Sequence, residues 1–406
     1  MAYVNEPSKS LPVSISCDVL VSGGGYAGIS AALAAARAGA KTVLLEREWA
    51  LGGLGTLGLV TIYLPLCDGM GHQVSFGIAE ELFRVSIRHG MEDWHLPKPY
   101  CWVDENGDRE ERKKVRFQCQ YNANCFVLEV EKLLLEAGVE IRYGTLACET
   151  LTENGKITHV IAEDKSGRFA IETKAVVDCT GDADLCKLSG APTANFGPGN
   201  ILAAWHYWDT EKDGRNLKML GFAEVPDSMK NGSEEKPLVA KRYTGIDGKE
   251  LSDMMQTSHA CLLDYVNQRE KEDPTYTVTA IAGIPQIRMT RRLAGRYTLD
   301  QDQIREHFDD SIGMIGNWRK AGPVYEIPYG TLCCEEIENL WVAGRCISVT
   351  DAMWEYTRVI PVCAVTGEAA GEAAAMLAAD GSVEINTLQK RLSKNGVRLH
   401  VEEIEE

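Results

Sequence analysis

Apolar positions along the chain fall into short β-branched runs separated by small-residue stretches of helical length. "CDVLVS" (Cys17–Ser22) is a run of the kind buried in a parallel sheet. "ISAALAAARAGA" then predicts an alanine-rich helix ending at Gly39, with Gly28, Ala32 and Ala36 spaced four apart on one face. Small residues on that face let another element approach closely. "KTVLLERE" returns as a second strand that ends at Glu46. "AVVDCTGDADL" (Ala175–Leu185) and "LWVAG" predict two more buried strands, and a closing helix carries Gly367, Gly371 and Ala375 at the same spacing, its start marked by Pro361. This last helix is expected to pack closely, near the first one. "DGKELSDMMQTSHACLLDYVNQREKED" predicts an amphipathic helix with Leu251, Met254, Met255, Leu262 and Val266 near one core-facing side. The polar, glycine-dotted stretch from "EKDGRNLKML" through "MKNGSEEKP" predicts a surface loop or lid.

The loop "SGGGYAG" (Ser22–Gly28) joins the first strand to the first helix. Gly23 permits the tight turn, Gly25 lets the backbone approach a pyrophosphate, and Gly28 lets the helix pack on the strand, while the helix N-terminus offers N–H groups to phosphates. Glu46, the eighteenth residue after Gly28, is placed to accept from ribose hydroxyls, and a carboxylate there favours a free ribose over a 2′-phosphate. The strand, helix, return strand and acid together predict a bound dinucleotide. They do not choose between NAD and FAD. A second glycine cluster, "WALGGLGTLGLV" (Trp49–Val60), places Gly52, Gly53 and Thr56 directly after the acidic strand end.

With that cluster, the strand end Thr180-Gly181-Asp182, the turn "AGRCIS" and the glycine-rich closing helix, the chain resembles the FAD-dependent oxidoreductase family of the two-dinucleotide-binding-domain flavoprotein superfamily. The resemblance includes "RFQCQYNANCFVLEVEKLLLEAGVEIRYGT", "IRMTRRLAGRYTL" and "YEIPYGTL", and so covers most of Leu11 to Ala379. Tyr26 stands where the family often has proline. The implied fold is α/β: a Rossmann-like FAD-binding domain, a parallel sheet with flanking helices, with an inserted mixed α+β substrate domain. The glycine-loop organisation is absent from 61–115 and 201–330, which are expected to form that substrate domain. Residues 11–60, 116–200 and 331–380 make the FAD-binding domain, and 381–406 a C-terminal tail or extra helix. The resemblance implies FAD held non-covalently by Gly23, Gly25, Tyr26, Ala27, Gly28, Glu46, Arg47, Gly52, Gly53, Thr56, Leu146, Thr180, Gly181, Asp182, Gly344 and Arg345. The helix start from Arg358 to Val362 would face the flavin pyrimidine edge, where a helix N-terminus stabilises the negative charge that hydride transfer creates.

Composition removes several classes. Forty-two basic residues against fifty-nine acidic ones give a formal charge of −17, which repels nucleic acid. The opening residues lack a basic segment followed by an apolar run, and no apolar stretch looks long enough to span a bilayer, so a cytoplasmic protein without a membrane partner is expected. Thirteen scattered cysteines without a C-x-x-C signal neither a disulfide framework nor a thiolate-held metal, and no metal is expected. Cys333 and Cys334 are read as two half-buried thiols rather than a vicinal disulfide.

Four stretches bring chemistry. Alternation in "IRMTRRL" would set Arg288 and Arg292, with Thr290 between them, on one strand face able to bind a carboxylate, the alternative being salt bridges. "GPVYEIPYGTL" offers Tyr325 and Tyr329, expected to cross near the isoalloxazine. His206, in the aromatic cluster "AAWHYWDT", is the first candidate acid or base, against an ordinary structural histidine. Cys67 and His72, in "LPLCDGMGHQ", could touch substrate or carry flavin covalently, or belong to a turn built by Asp68, Gly69 and Gly71. The expected function is a dehydrogenase or oxidase passing a hydride between flavin N5 and a small hydroxylated or carboxylated substrate, sugars and glycosides included. An external acceptor or oxygen reoxidises the flavin, since no separate NAD motif is present. Reduction of an activated C=C bond is the enzymatic alternative. A flavin electron-transfer subunit is the other, and homo-oligomerisation stays open.

Overall fold

The computed structural model of the 406-residue chain describes residues 3–5, 7–92, 96–104, 107–221 and 237–404. At its centre lies β1 (Val13–Ser22), whose Val19, Leu20 and Val21 are all fully buried because the sheet is covered on both faces. It pairs in parallel with β2 (Thr42–Leu45) on one side and with strand Gly167–Asp178 on the other. Glu140–Arg142 extends the sheet beyond β2, and Leu340–Val342 lies parallel to the C-terminal end of Gly167–Asp178. The remaining edge departs from an all-parallel sheet. Leu146–Glu153 and Lys156–Asp164 form an antiparallel hairpin, turned by Asn154 and Gly155 at φ of 49° and 75°. Two positive φ values at an Asn-Gly pair define the type I′ turn, whose twist suits paired strands.

Helix α1 (Tyr26–Arg37) and the closing helix Ile360–Asp380 pack against each other with almost nothing between them. A Cβ built on Gly367 would lie 2.3 Å from the Ala27 carbonyl, and one on Gly371 2.2 Å from that of Ala31. The close pairing of the two small-residue helices is thus present, but the face that α1 offers is Ala27 and Ala31. Gly28 instead lies against the glycine loop, where a Cβ would sit 1.8 Å from the Gly23 carbonyl. One expectation is corrected: the closing helix, 21 residues with a mean hydropathy of 1.2, is long and apolar enough to cross a bilayer. Its apolar character has another cause here, because 78% of that window is buried inside the protein.

Outside this sheet the organisation is antiparallel. Ile62–Tyr63, Cys119–Tyr121 and Met91–Glu92 form one small sheet, and Asn216–Lys218, His206–Asp209 and Thr277–Ile281 another. The long helix Gly248–Glu272 buries Met254 against Leu202, Tyr243 and Ile287. Of the expected surface loop or lid, 222–236 lie outside the described residues, and Asn216–Lys218 is a strand. All thirteen cysteines are free, Cys333 and Cys334 both buried. The chain closes with helix Ile385–Lys394 and a final turn, Val401–Ile404.

Two consequences are measurable. Gly371→Ala forces the two helices apart and should cost about 1–3 kcal/mol in urea unfolding; an unchanged midpoint would show that the contact yields freely. Glu368, buried in the closing helix, accepts the Ile78 N–H at 2.8 Å, and burial pushes its carboxyl up to about 8. The folded chain then holds a proton that the unfolded chain releases near the ordinary value of 4.5, so stability falls as pH rises between those two values. Unfolding of Glu368→Gln compared with the parent across that interval should show the variant gaining relative stability as pH rises.

Candidate functional site

The glycine loop leaves β1 at Gly23, whose φ of +100° and whose approach to strand Gly167–Asp178 both require glycine: a Cβ would lie 2.4 Å from the Cys179 carbonyl. Gly25 differs. Its φ of −69° suits any residue, yet a Cβ built there meets nothing within 4 Å among the described residues. The space it faces is a cleft that the second glycine cluster, the Thr180–Asp182 strand end and the start of the closing helix also line. The second glycine cluster lies directly against the first, Gly52 bridging to Gly25 and donating its N–H to Gly24 O at 2.8 Å. Glu46 ties these parts together: Oε2 accepts the Gly24 N–H at 2.7 Å and Oε1 the Glu48 N–H at 2.8 Å. Burial raises its pKa, and these two N–H donors oppose the rise.

These features fit FAD. The open face of Gly25 and the first turn of α1, which carries no side-chain cap and no acidic residue, form a cradle for a diphosphate. Gly23, Gly25, Tyr26, Ala27, Glu46, Arg47, Gly52, Gly53, Leu146, Thr180, Gly181, Asp182, Gly344, Arg345 and Arg358 all line the cleft. Three other expected residues support the walls from behind. Gly28 packs on Gly23, Thr56 donates its hydroxyl to Leu51 O at 2.5 Å, and Val362 is buried within the closing helix. Tyr26 occupies its family-variant position by stacking on Phe126 at 4.7 Å, edge-on to Tyr63 and Tyr121. Arg345 is fully engaged: it bonds Gly181 O, Ile287 O and Asp182 Oδ1 at 2.5, 2.8 and 2.5 Å. It therefore latches the segment carrying Ile287 to the strand end.

The candidate catalytic residues do not gather in this cleft. His206 is wholly buried, its Nδ1 facing Ala204 O at 3.2 Å and its Nε2 the Tyr276 hydroxyl at 2.8 Å. Since a carbonyl only accepts, Nδ1 carries the proton and Nε2 accepts from tyrosine; burial lowers the ring's pKa. Tyr325 donates to Gln301 O, and Tyr329 accepts from Trp341 Nε1. Cys67 is buried, its sulfur accepting the Phe117 N–H, and burial raises its pKa. His72 bonds Asp68 Oδ2 and Arg109 Nη2 at 2.9 and 2.7 Å. Asp68, Gly69 and Gly71 make the turn itself, with Asp68 Oδ1 accepting from Met70 and His72 N–H groups and both glycines at positive φ. Arg288, Thr290 and Arg292 separate too: Thr290 bonds Asp182, Arg292 pairs with Asp351 over the Trp354 ring, and Arg288 lies over Trp205. The regular strand begins only at Arg291, so no alternation holds the three side chains together.

Sequence reasoning passed over the apolar wall of Leu251, Ile284, Pro285 and Ile287. The signal for part of it was Gly283-Ile284-Pro285, a turn immediately before the arginine stretch. It also passed over a cluster of metal-capable side chains, His307, Glu326 and His400. There the Glu326 carboxylate accepts from Phe308 N–H, Val401 N–H and His400, clamping the final turn, while the two imidazoles stack at 4.5 Å and 24°. Stacked rings direct their nitrogen lone pairs along nearly parallel planes, which suits a clamp better than a shared ion.

The family model for FAD dependent oxidoreductases matches residues 18–199 and 243–392, and the chain belongs to that family. It is a flavoenzyme that uses FAD. Among curated proteins it is similar to the gamma-glutamylputrescine oxidoreductase of Escherichia coli (strain K12), 28% identical over 193 residues, or 45% of this chain. The match spans 42% of that relative's length. Among solved structures it is similar to a geranylgeranyl bacteriochlorophyll reductase-like protein from Thermoplasma acidophilum, with a TM-score of 0.49, 14% identity and coverage of 94% of this chain and 84% of the other. It is also similar to p-nitrophenol 4-monooxygenase from Pseudomonas putida DLL-E4, with a TM-score of 0.48, 14% identity and coverage of 93% and 84%.

The two glycines of the loop should respond differently to substitution. Gly25→Val should fold, purify without flavin and melt where the flavin-free parent melts, because the new side chain fills only the diphosphate cradle. Gly23→Val should fail to fold. A yellow Gly25→Val protein with parental FAD content would remove the cradle from this face of the loop.

Proposed function

We propose that this chain passes a hydride between a small polar, hydroxylated or carboxylated substrate and N5 of FAD, with an external acceptor or oxygen completing the cycle. The observation that carries this reading is the start of the closing helix. Ile360 and Cys363 line the cleft there, Pro361 sits in the first turn, and the N-cap residue Val359 supplies no side-chain hydrogen bond to the helix N–H groups. Bound FAD supplies hydride exchange at N5, with the resulting charge on its pyrimidine side. A helix terminus facing that charge offsets it without rearrangement. Leu251, Ile284, Pro285 and Ile287 wall the cleft with apolar surface that keeps water away, leaving Arg358 as a cationic group on its lining. Gamma-glutamylputrescine, in the name of the E. coli relative, belongs to the same small and polar class.

His206 and Tyr325 take no part in this reading, because their polar atoms are committed away from the cleft. Anaerobic mixing with a panel of hydroxy acids, sugars and enoates should bleach the flavin band with at least one of them. His206→Gln and Tyr325→Phe should bleach at rates near the parent's, whereas losing a general base would slow the step by about a hundredfold or more. Absence of bleaching with every compound, alongside fast reduction by a protein partner, would replace the enzyme with an electron-transfer subunit.

A further inference from the structure

Four guanidinium groups converge where the substrate-side segment meets the closing helix: Arg288, Arg319, Arg345 and Arg358. Two carboxylates oppose them. Asp182 takes Arg345 Nη2, while Arg345 Nε and Nη1 donate to carbonyls. Glu355, only 3% exposed, is shared between Arg319 and Arg358. Arg288 has no carboxylate partner among the described residues. It is 7% exposed, its Nη1 donates to Gln286 O at 3.0 Å, the Trp205 ring lies 5.1 Å from its Cζ, and its Nη2 is buried without an acceptor. The Nε of Arg358 is buried without an acceptor as well. Arg358 lines the cleft, as does Ile287, the residue before Arg288.

Four cations against two anions leave an excess of two positive charges in one buried place. The chain as a whole carries −17, so this excess is a local feature. A buried guanidinium without a counter-charge is costly to keep. Burial, and then the neighbouring Arg358 and Arg345, push Arg288 down to about 9, which still leaves it protonated at neutral pH. What the group lacks is an anion; Arg288 does not itself line the cleft, and its links to it are the adjoining Ile287 and the neighbouring Arg358.

We infer that Arg288 and Arg358 are the carboxylate-binding subsite of this enzyme, so that its substrate is a small organic acid. The inference rests on the cleft being the flavin and substrate site. A carboxylate is planar, carries one charge over two oxygens, and matches guanidinium donors better than a hydroxyl or amide does. Trp205, under Arg288, fixes the plane of that guanidinium. Arg288 acts by binding, and Arg358 joins the acid site to the start of the closing helix.

The test uses the FAD-loaded protein, titrated anaerobically with propionate, crotonate and succinate and with their amides, and followed by the flavin difference spectrum and by melting temperature. At least one acid should give a saturable spectral shift and raise the melting temperature, and its amide should bind far more weakly. Arg288→Met should weaken acid binding roughly ten- to a hundredfold. The variant should keep its FAD and melt no lower than the parent, because an uncompensated charge has been removed, and Arg288→Lys should recover part of the binding. Equal binding of acid and amide, no saturable shift with any acid, or an Arg288→Met protein that loses FAD or stability while binding acids normally would overturn the inference. Acids that bind without any compound bleaching the flavin would defeat the hydride reading and leave the subsite standing. Bleaching by neutral compounds alone would do the reverse.

Discussion

The contact on which the rest of the structure depends is the one between α1 and the closing helix, where Gly367 and Gly371 place backbone against the carbonyls of Ala27 and Ala31. Residues more than three hundred positions apart are held there at backbone distance. The glycine loop at the start of α1 and the Gly344 turn before the closing helix consequently share one cleft, and a Cβ on Gly344 would lie 2.8 Å from that of Ala27. Without side chains between the helices there is little room for a second arrangement, since a packed interior is bistable at best and not continuously deformable. The same closeness explains the apolar composition of the closing helix. A core helix touched on all sides has no polar face, and its few polar residues, such as Glu368, are buried with partners.

Charge is distributed around this frame in two ways. Closed pairs, such as Arg345 with Asp182 and Arg291 with Asp184, lock neighbouring segments to the strand end that carries Gly181. Glu46 has a comparable task, since its two oxygens join the Gly24 turn to the chain after β2. Arg288 is the exception, a buried cation with no directly paired acid among the described residues, on which Glu355 acts only through its field.

Much of the cleft lining was legible because its signals are local. Gly23, Gly52 and Gly53 are required by the backbone, which reads directly from residue type, whereas Gly25 leaves open the space it faces. The catalytic candidates failed to assemble for the opposite reason. His206, Tyr325, Cys67 and His72 are reactive types whose meaning depends on what surrounds them, and in each case a carbonyl, an N–H or another side chain a few ångströms away has claimed the polar atom. The apolar wall at Ile284 and Ile287 sent no chemical signal at all, since isoleucine in a core and isoleucine beside a flavin look alike.

From the sequence alone came the order of strands and helices around the glycine loop, the FAD-binding class, and the small-residue faces of two helices, because periodicity, turn chemistry and glycine spacing are properties of neighbouring residues. Only the tertiary structure decided which face of α1 meets the closing helix, which arginines are neutralised and which one is left over. Those outcomes depend on distances between residues remote in the chain, and a side chain's charge acquires its meaning from the partner that the fold brings to it, or does not.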